Sequence, residues 1–277
     1  MTTLELAGGT LVTLGHRTAG GSKNETRYGV MADGREVVVK TQRNHGRLRE
    51  EAAALTFLGA RGVRAPKVIA AATGPDSSEV LVLSREAGER PVTPDGWRRF
   101  GRDLATLASV DTAGWPLATV SAAEFAGDHD RRLSVVAHLL DGELRREISA
   151  AIERVADVHD LVITHGDPGS GNYLDDGEQG TLIDWETASL SPFGLDIGRA
   201  VFIGLLDLGR TGIRRALVAA LIDGYRANLT VELDDHVLRA WTIIAGLQFI
   251  HGRHVRPLRP DRTPQVAAEV LAAYLAG

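Results

Sequence analysis

The residues whose types and spacing are best suited to chemistry lie between positions 163 and 199. His165, Asp167 and Asn172 stand in the order H-x-D-x-x-x-x-N. A second aspartate, Asp184, follows in the segment IDWE. A short apolar run precedes each aspartate, so both are predicted to lie at strand ends, where loops present side chains to a ligand.

Transfer of a phosphoryl group needs a base near the acceptor hydroxyl and oxygen ligands for the metal ion that bridges the phosphates. Asp167 is the candidate base. Asn172 and Asp184 are the candidate magnesium ligands, because Mg²⁺ accepts hard oxygen ligands such as an amide and a carboxylate. Asn172 follows Asp167 by five positions, so one compact loop can place both on the same side of the transferred group. The competing interpretation is a polar loop that caps a helix.

The N-terminal part of the chain is predicted to hold the nucleotide on five strands and one helix. A glycine-rich turn containing Gly21 and Ser22 could bring backbone N–H groups close to phosphates, although an ordinary hairpin loop is the alternative. Lys40 ends the strand EVVVK, where it could pair with the α and β phosphates. Glu51, in the predicted helix LREEAAALTFLGARG, is the candidate carboxylate that holds Lys40. Without such contact, both would be ordinary surface residues.

A linker rich in glycine and proline begins at Glu86 and divides the chain into two expected domains. Residues 1–87 are predicted to form the nucleotide-binding sheet with its helix. Residues 88–277 are predicted to be helical and to carry the catalytic loop and the acceptor site. Backbone groups from Ser84 to Ala87 could meet the edge of the nucleotide base, and a plain connector is the alternative.

The segment 111–130 is predicted to be an irregular insert within the helical part. Asp128 and Asp130 flank His129 near its end, and the two aspartates are candidates for binding the acceptor. A solvated loop is the alternative. By contrast, the helical spacing of Trp97 and Phe100 indicates core residues rather than ligands.

Charge is unevenly distributed along the chain. Residues 1–87 carry a net charge of +3 and residues 88–277 carry −8, which together give the net charge of −5. This asymmetry fits phosphate on the first part and a cationic acceptor on the second, while ordinary surface charge is the alternative. The chain has no dense basic stripe interleaved with aromatic residues, so nucleic acid is not an expected partner.

Composition excludes several other classes of protein. The chain has no cysteine, so it holds neither disulfides nor thiolate metal sites. No apolar run reaches the length of a membrane span, and MTTLELAGGT lacks the features of a signal peptide. We therefore expect a cytoplasmic protein without a membrane partner, as a monomer or a dimer.

The segments HGDPGSGNYL, IDWE, EVVVK and REEAAALTFL together resemble the aminoglycoside phosphotransferase family, whose fold is similar to that of protein kinases. The resemblance implies an α+β, protein-kinase-like fold of two lobes, with a small, mainly β N-terminal lobe and a larger, mainly helical C-terminal lobe. It also implies that Lys40 holds ATP phosphates, that Glu51 holds Lys40, and that Asp167 is the catalytic base. Asn172 and Asp184 would bind Mg²⁺.

The resemblance adds three further residues. His165 and Asp196 would brace the catalytic loop. Glu186, the last residue of IDWE, recurs in some members of the family and is a third candidate for acceptor binding. Pro168 departs from the pattern, because an aliphatic residue commonly follows the aspartate of HGD in the family.

The leading hypothesis is an ATP- and magnesium-dependent kinase that acts on a hydroxyl of a small molecule. A cationic antibiotic, either an aminoglycoside or a basic peptide antibiotic, is the preferred acceptor, and resistance would be the consequence. GTP stays open as the nucleotide. The alternatives are a kinase of choline, homoserine or a sugar, and a nucleotide-binding regulator without catalysis.

Overall fold

The computed structural model describes residues 2–6, 10–17, 24–42, 47–73, 78–207, 212–256 and 263–276. Gly21 and Ser22, which are predicted to contact phosphate, lie outside these residues. The described chain contains an antiparallel sheet followed by a helical part, as the α+β prediction requires.

A six-stranded antiparallel sheet and one helix form the N-terminal lobe. The order in the sheet is β1-β2-β3-β4-β6-β5. The prediction of five strands was wrong by one, because Thr2–Leu6 pairs along its whole length with the strand that begins at Thr10. The elements are β1 (Thr2–Leu6), β2 (Thr10–Arg17), β3 (Asn24–Met31), β4 (Glu36–Gln42), α1 (Leu48–Ala60), β5 (Val68–Thr73) and β6 (Glu79–Ser84).

Strand β4 and helix α1 together position the two charged residues of this lobe. β4 lies between β3 and β6, and Lys40 on it is opposite Thr26 and Leu81. Helix α1 buries Leu48, Leu55 and Leu58 on one face. Glu51 falls three positions after Leu48, so helical periodicity turns its carboxylate toward the same buried face.

The described part of the C-terminal lobe consists of seven α-helices and two small two-stranded sheets. β7 pairs with β10, and β8 pairs with β9. Trp97 and Phe100 are fully buried, as their helical spacing predicts. The elements are α2 (Pro94–Ala108), α3 (Ala122–Val136), α4 (Gly142–Ala156), β7 (Leu161–Thr164), β8 (Tyr173–Asp175), β9 (Gly180–Leu182), β10 (Ser189–Pro192), α5 (Leu195–Asp207), α6 (Gly212–Arg226), α7 (Asp235–Val255) and α8 (Pro264–Leu275).

The irregular insert predicted for 111–130 is wrong over its second half, where helix α3 begins. Ser121 caps this helix: its hydroxyl accepts from the N–H of Glu124, and the Glu124 carboxylate accepts from the N–H of Ser121. This reciprocal capping box satisfies donors that a helix start otherwise leaves unpaired. Asp128 and Asp130 therefore lie on a helix and not in a loop.

The segment between the two lobes is held against the strand that follows the catalytic loop. Glu89 forms an antiparallel bridge with Asp175, with N···O distances of 3.0 and 2.8 Å. Arg99 of α2 adds a bidentate ion pair to the Asp175 carboxylate, with both distances 2.8 Å. Along the described part of the chain, no helix is both long and apolar enough to cross a bilayer.

Candidate active site

The predicted catalytic loop, residues 165–172, follows β7 and is anchored by a buried carboxylate from α5. Asp196 accepts the backbone N–H of His165 at 2.6 Å and that of Gly166 at 3.1 Å. Burial raises the pKa of Asp196, while the nearby His165 and Arg199 and the two N–H donors act in the opposite direction. Because Asp196 lies in the first turn of α5, the helix dipole also favours its negative charge.

His165 joins the catalytic loop to the segment before Asp184. Its ring is fully buried. Nε2 lies 2.9 Å from the carbonyl oxygen of Ile183, and Nδ1 lies 3.3 Å from the backbone nitrogen of Asp167. A carbonyl only accepts, so the proton resides on Nε2, and Nδ1 accepts the Asp167 N–H. This tautomer gives the ring a hydrogen bond on each side of the loop.

Asp167 and Asn172 are in direct contact. The amide nitrogen of Asn172 donates to the Asp167 backbone oxygen at 3.0 Å and to its carboxylate Oδ2 at 3.3 Å. The Asp167 side chain belongs to an exposed residue, which makes it accessible to a ligand. Asn172 also accepts the N–H of Ile183 at 2.9 Å, so it is tied to the strand end that carries Asp184.

Lys40 links the two lobes by contacting a carboxylate from each. Its Nζ lies 2.6 and 2.8 Å from the two oxygens of Glu51 and 2.6 Å from Oδ1 of Asp184. Glu51 also accepts the backbone N–H of Trp185 at 3.3 Å. Asp184 has φ = 70°, the one positive value at a non-glycine position in the described chain. Aspartate tolerates this region better than most residues, and such strain concentrates at functional sites.

The charge of this cluster depends on opposing effects. Burial acts to lower the pKa of Lys40, but the charges of Glu51 and Asp184 outweigh it and the pKa is raised. Burial raises the pKa of Glu51, Lys40 opposes this, and the Asp184 carboxylate adds to it. Lys40 therefore stays cationic between two carboxylates.

The sequence that builds this site matches the model of a known family. The model of the phosphotransferase enzyme family APH matches residues 16–241. The chain belongs to this family. The resemblance noted from the sequence and the enzyme class, a phosphotransferase, are thereby confirmed. A search of curated proteins gave no significant match.

Solved structures share the fold at low sequence identity. Macrolide 2'-phosphotransferase MphH from Brachybacterium faecium has 19% identity and a TM-score of 0.62, over 97% of this chain and 94% of that one. A choline/ethanolamine kinase family protein from Mesorhizobium loti has 18% identity and a TM-score of 0.66, over 95% and 87%. A thermostable mutant of aminoglycoside phosphotransferase APH(4)-Ia, in ternary complex with ADP and hygromycin B, has 14% identity and a TM-score of 0.69, over 96% and 95%.

In this phosphotransferase, the residues predicted to meet the nucleotide base lie where β6 ends. Ser84 forms two hydrogen bonds with Lys67, the residue directly before β5. The Ser84 N–H donates to the Lys67 carbonyl, and the Ser84 Oγ accepts the Lys67 N–H at 2.7 Å. The same hydroxyl donates to Glu86 at 2.6 Å. Ala87 is exposed. These contacts fix the end of the sheet, and the role of the segment in base recognition stays a prediction.

The three candidates for acceptor binding have different surroundings in the phosphotransferase. Asp128 on α3 is paired with Arg132 and Arg131 of the same helix, and Asp130 is exposed. Glu186 contacts the other lobe, where it accepts from Nδ2 of Asn24 at 2.8 Å.

Two residues of the phosphotransferase site were missed from the sequence. Arg199 donates to the carbonyl oxygen of Gly166, directly before the candidate base. A signal for it existed, because Arg199 follows Asp196 by three positions and therefore lies on the same helix face. Asn24 reaches Glu186 across 162 positions, and no local pattern predicts such a contact.

Proposed function

We propose that this phosphotransferase moves the γ-phosphoryl group of ATP to a hydroxyl group of a small molecule. The observation that carries the proposal is one continuous set of contacts. It runs from Glu51 through Lys40 to Asp184, and from there through the backbone to Asn172 and Asp167. This set supplies the groups for phosphate, metal and acceptor in a single site.

Lys40 and Asp184 are the groups that change partners when nucleotide binds. Phosphate oxygens replace Asp184 next to the Lys40 ammonium, while Glu51 continues to hold Lys40 from the other side. Asp184 and Asn172 fit magnesium, because this ion binds proteins through one or two oxygen side chains and keeps substrate phosphates and water as its other ligands. When bound, the ion neutralises charge on the phosphates.

Asp167 is the proposed general base. Asn172 donates to its Oδ2, and we assign Oδ1 to the acceptor hydroxyl. As the acceptor oxygen bonds to the γ-phosphorus, the bond from that phosphorus to the β,γ-bridging oxygen breaks, and the hydroxyl proton passes to Asp167. ADP and a phosphate monoester are the products.

The preferred acceptor is a cationic antibiotic, with resistance as the biological outcome. Two observations support this class: the net charge of −8 on residues 88–277, and the fold shared with an enzyme crystallised with hygromycin B. The fold shared with the Mesorhizobium loti protein supports a second candidate, a metabolite kinase of the choline or ethanolamine type. A cytoplasmic monomer or dimer, without nucleic acid or membrane partners, is proposed in either case.

A panel assay tests the proposal. Purified protein is incubated with magnesium and ATP or GTP, and ADP or GDP release is measured with aminoglycosides, macrolides, basic peptide antibiotics, choline, ethanolamine, homoserine and sugars. Mass spectrometry identifies the phosphorylated acceptor, and Asp167→Ala serves as the inactive control. Phosphorylation of an antibiotic supports the first candidate, and phosphorylation of a metabolite supports the second. Nucleotide binding without transfer to any acceptor would instead indicate a regulator.

A further inference from the structure

A partly buried chain of polar contacts connects the predicted catalytic loop to two helices of the C-terminal lobe; His129 is its fully buried member. Arg199 of α5 donates through Nη1 to the carbonyl oxygen of Gly166. Its Nε donates to Oε1 of Gln248 on α7 at 2.8 Å. Nε2 of Gln248 lies 2.8 Å from Nε2 of His129 on α3. The other ring nitrogen of His129 contacts the carbonyl oxygen of Phe125.

The chemistry of these groups allows one direction of donation along the chain. The Phe125 carbonyl only accepts, so the proton of His129 resides on Nδ1 and its Nε2 is an acceptor. The amide nitrogen of Gln248 donates to that Nε2, which leaves the amide oxygen for Arg199. Every group therefore has a partner of the opposite kind, which is the condition for a stable buried network.

The carbonyl that Arg199 holds belongs to the peptide group immediately before Asp167. At the other end of this peptide group, the Asp167 N–H is held by Nδ1 of His165 at 3.3 Å. The Gly166 N–H is held by Asp196. Fixing the peptide plane at both ends fixes the direction in which the Asp167 side chain leaves the backbone.

Gly166 occupies a backbone conformation that requires glycine. Its φ is +82°, a region that L side chains rarely adopt, and a Cβ there would collide with the carbonyl oxygen of Thr187. Because glycine tolerates more backbone conformations than other residues, the hydrogen bonds at both ends of this peptide group are what restrict its rotation. The contact from Arg199 opposes such movement.

We infer that Arg199, Gln248 and His129 are positioning residues that hold Asp167 in its orientation for phosphoryl transfer. The inference rests on the proposed function, because it takes Asp167 as the base. Arg199 holds the peptide group before Asp167 by a direct hydrogen bond. Gln248 fixes the orientation of the Arg199 guanidinium, and His129 fixes which way the Gln248 amide faces.

Gln248→Leu removes both contacts of Gln248 with little change in volume. We expect kcat to fall about 10- to 100-fold, since small displacements of a reacting group reduce rates to this extent. The KM for ATP should change less than twofold, because Lys40 and Asp184 are untouched. Thr242→Val is the matched control: Thr242 is buried on the same helix, and its hydroxyl donates to the Leu238 carbonyl of that helix.

The kinetics distinguish positioning from a structural role. Thermal unfolding is measured for both variants, and rates are compared at a temperature where both are folded. If Gln248→Leu keeps the wild-type kcat, or if Thr242→Val loses as much kcat at equal stability, the inference is overturned. If Asp167→Ala is itself fully active, the proposed function fails first.

The role of Arg199 is tested by the substitution Arg199→Lys, because a neutral residue at this position would leave the buried Asp196 without a nearby positive charge and could prevent folding. Arg199→Lys keeps the charge but cannot reach both Gly166 and Gln248. We expect a similar loss of kcat, and adding Gln248→Leu to Arg199→Lys should cause no further loss beyond about twofold. If the fold-loss of kcat in the double variant equals the product of the two single losses, Arg199 and Gln248 act independently. That result would overturn the inference that Gln248 acts through Arg199.

A third variant tests the contact to His129 without any acceptor. In Gln248→Glu the carboxylate still accepts from Arg199 but cannot donate to His129, so the contact persists only if His129 gains a second proton. NMR of the isotope-labelled His129 imidazole measures its titration, and the charged groups near the ring are Asp128, Arg132 and Arg199. The midpoint of the His129 titration should lie at least one pH unit higher in Gln248→Glu than in wild type. An unchanged titration would show that Gln248 does not contact His129 in solution and would overturn the inference.

Discussion

Replacing Glu51 by glutamine tests how much Glu51 and Asp184 each contribute to holding the Lys40 ammonium. Glu51 is fully buried and gives both oxygens to the Lys40 ammonium, at 2.6 and 2.8 Å. Glutamine preserves the shape and offers one accepting oxygen, so one hydrogen bond to a charged group is lost. Such a bond contributes about 1.5–3 kcal/mol.

The expected loss of stability is smaller than for a typical broken ion pair. Removing one partner of a buried pair usually costs about 3–5 kcal/mol, because the other charge is left alone. Here Asp184 remains 2.6 Å from Lys40 as a second counter-ion. We therefore expect the free energy of unfolding to fall by about 2 kcal/mol, which lowers Tm by roughly 4–8 °C in a chain of this size.

The effect on catalysis should be larger than the effect on stability. In the proposed nucleotide complex, Asp184 would hold the metal and no longer neutralise Lys40, so Glu51 would be the remaining carboxylate that positions the ammonium. A loss of about 1.5–3 kcal/mol corresponds to a fall in kcat/KM for ATP of about 10- to 150-fold. Steady-state kinetics at saturating acceptor measure it.

Glu50→Gln is the matched control, because Glu50 is the adjacent, exposed acid in the same first turn of α1. It reproduces the loss of negative charge near the helix N-terminus and leaves Lys40 untouched. The reasoning is refuted if Glu51→Gln and Glu50→Gln have the same Tm and the same kcat/KM for ATP.

Three further outcomes follow from contacts at the site. Burial lowers the pKa of His129 to about 4, below the usual 6.5, so the unfolded chain binds this proton first as pH falls. The contribution of His129 to the free energy of unfolding should therefore drop by about 3 kcal/mol between pH 7 and pH 4, and denaturant unfolding of His129→Gln should show a pH dependence that is shallower by this amount. Gly166→Ala should cost at least about 2 kcal/mol and most of the turnover, from strain at φ = +82° and the collision with Thr187; a normal Tm would contradict this. Asn24→Asp places a second carboxylate against Glu186, so the two lobes repel each other at this contact; because Lys40 and Asp184 come from different lobes, the KM for ATP should rise by roughly tenfold or more, and an unchanged KM would contradict this. Asn24→Ser should have a smaller effect.

The positions of Lys40 and Glu51, the residues proposed to hold the nucleotide, could be predicted because local periodicity determines them. Lys40 directly follows the apolar run of β4, and Glu51 shares a helix face with Leu48 and Leu55, so each residue's burial follows from its own element. The turn after β7 is equally local, since the spacing of Asp167 and its following asparagine confines both to one short loop. Such features require no knowledge of distant partners.

The contacts between elements could not be predicted in the same way. Asparagine is common in turns, and Asn24 follows a glycine-rich segment, so the sequence indicates a turn residue there. Its hydrogen bond to Glu186 depends on how the two lobes pack. The start of α3 was missed for a different reason. The capping pair Ser121 and Glu124 is a helix signal, but the glycine and proline content of the preceding residues favoured an irregular segment.

The acceptor side shows why total charge is a weak guide to the ligand. Residues 88–277 carry −8 in sum, yet Asp128 already neutralises part of Arg131 and Arg132 on its own helix. A carboxylate in an ion pair attracts a cationic ligand less than its formal charge suggests, because the neighbouring guanidinium repels the same ligand. Recognition of a cationic ligand therefore depends on solvent-exposed carboxylates whose charge is not offset by a neighbouring arginine. On this argument the exposed Asp130 is a stronger candidate for acceptor binding than Asp128. The sum over a lobe predicts the sign of long-range attraction, whereas the partners of each aspartate decide what binds.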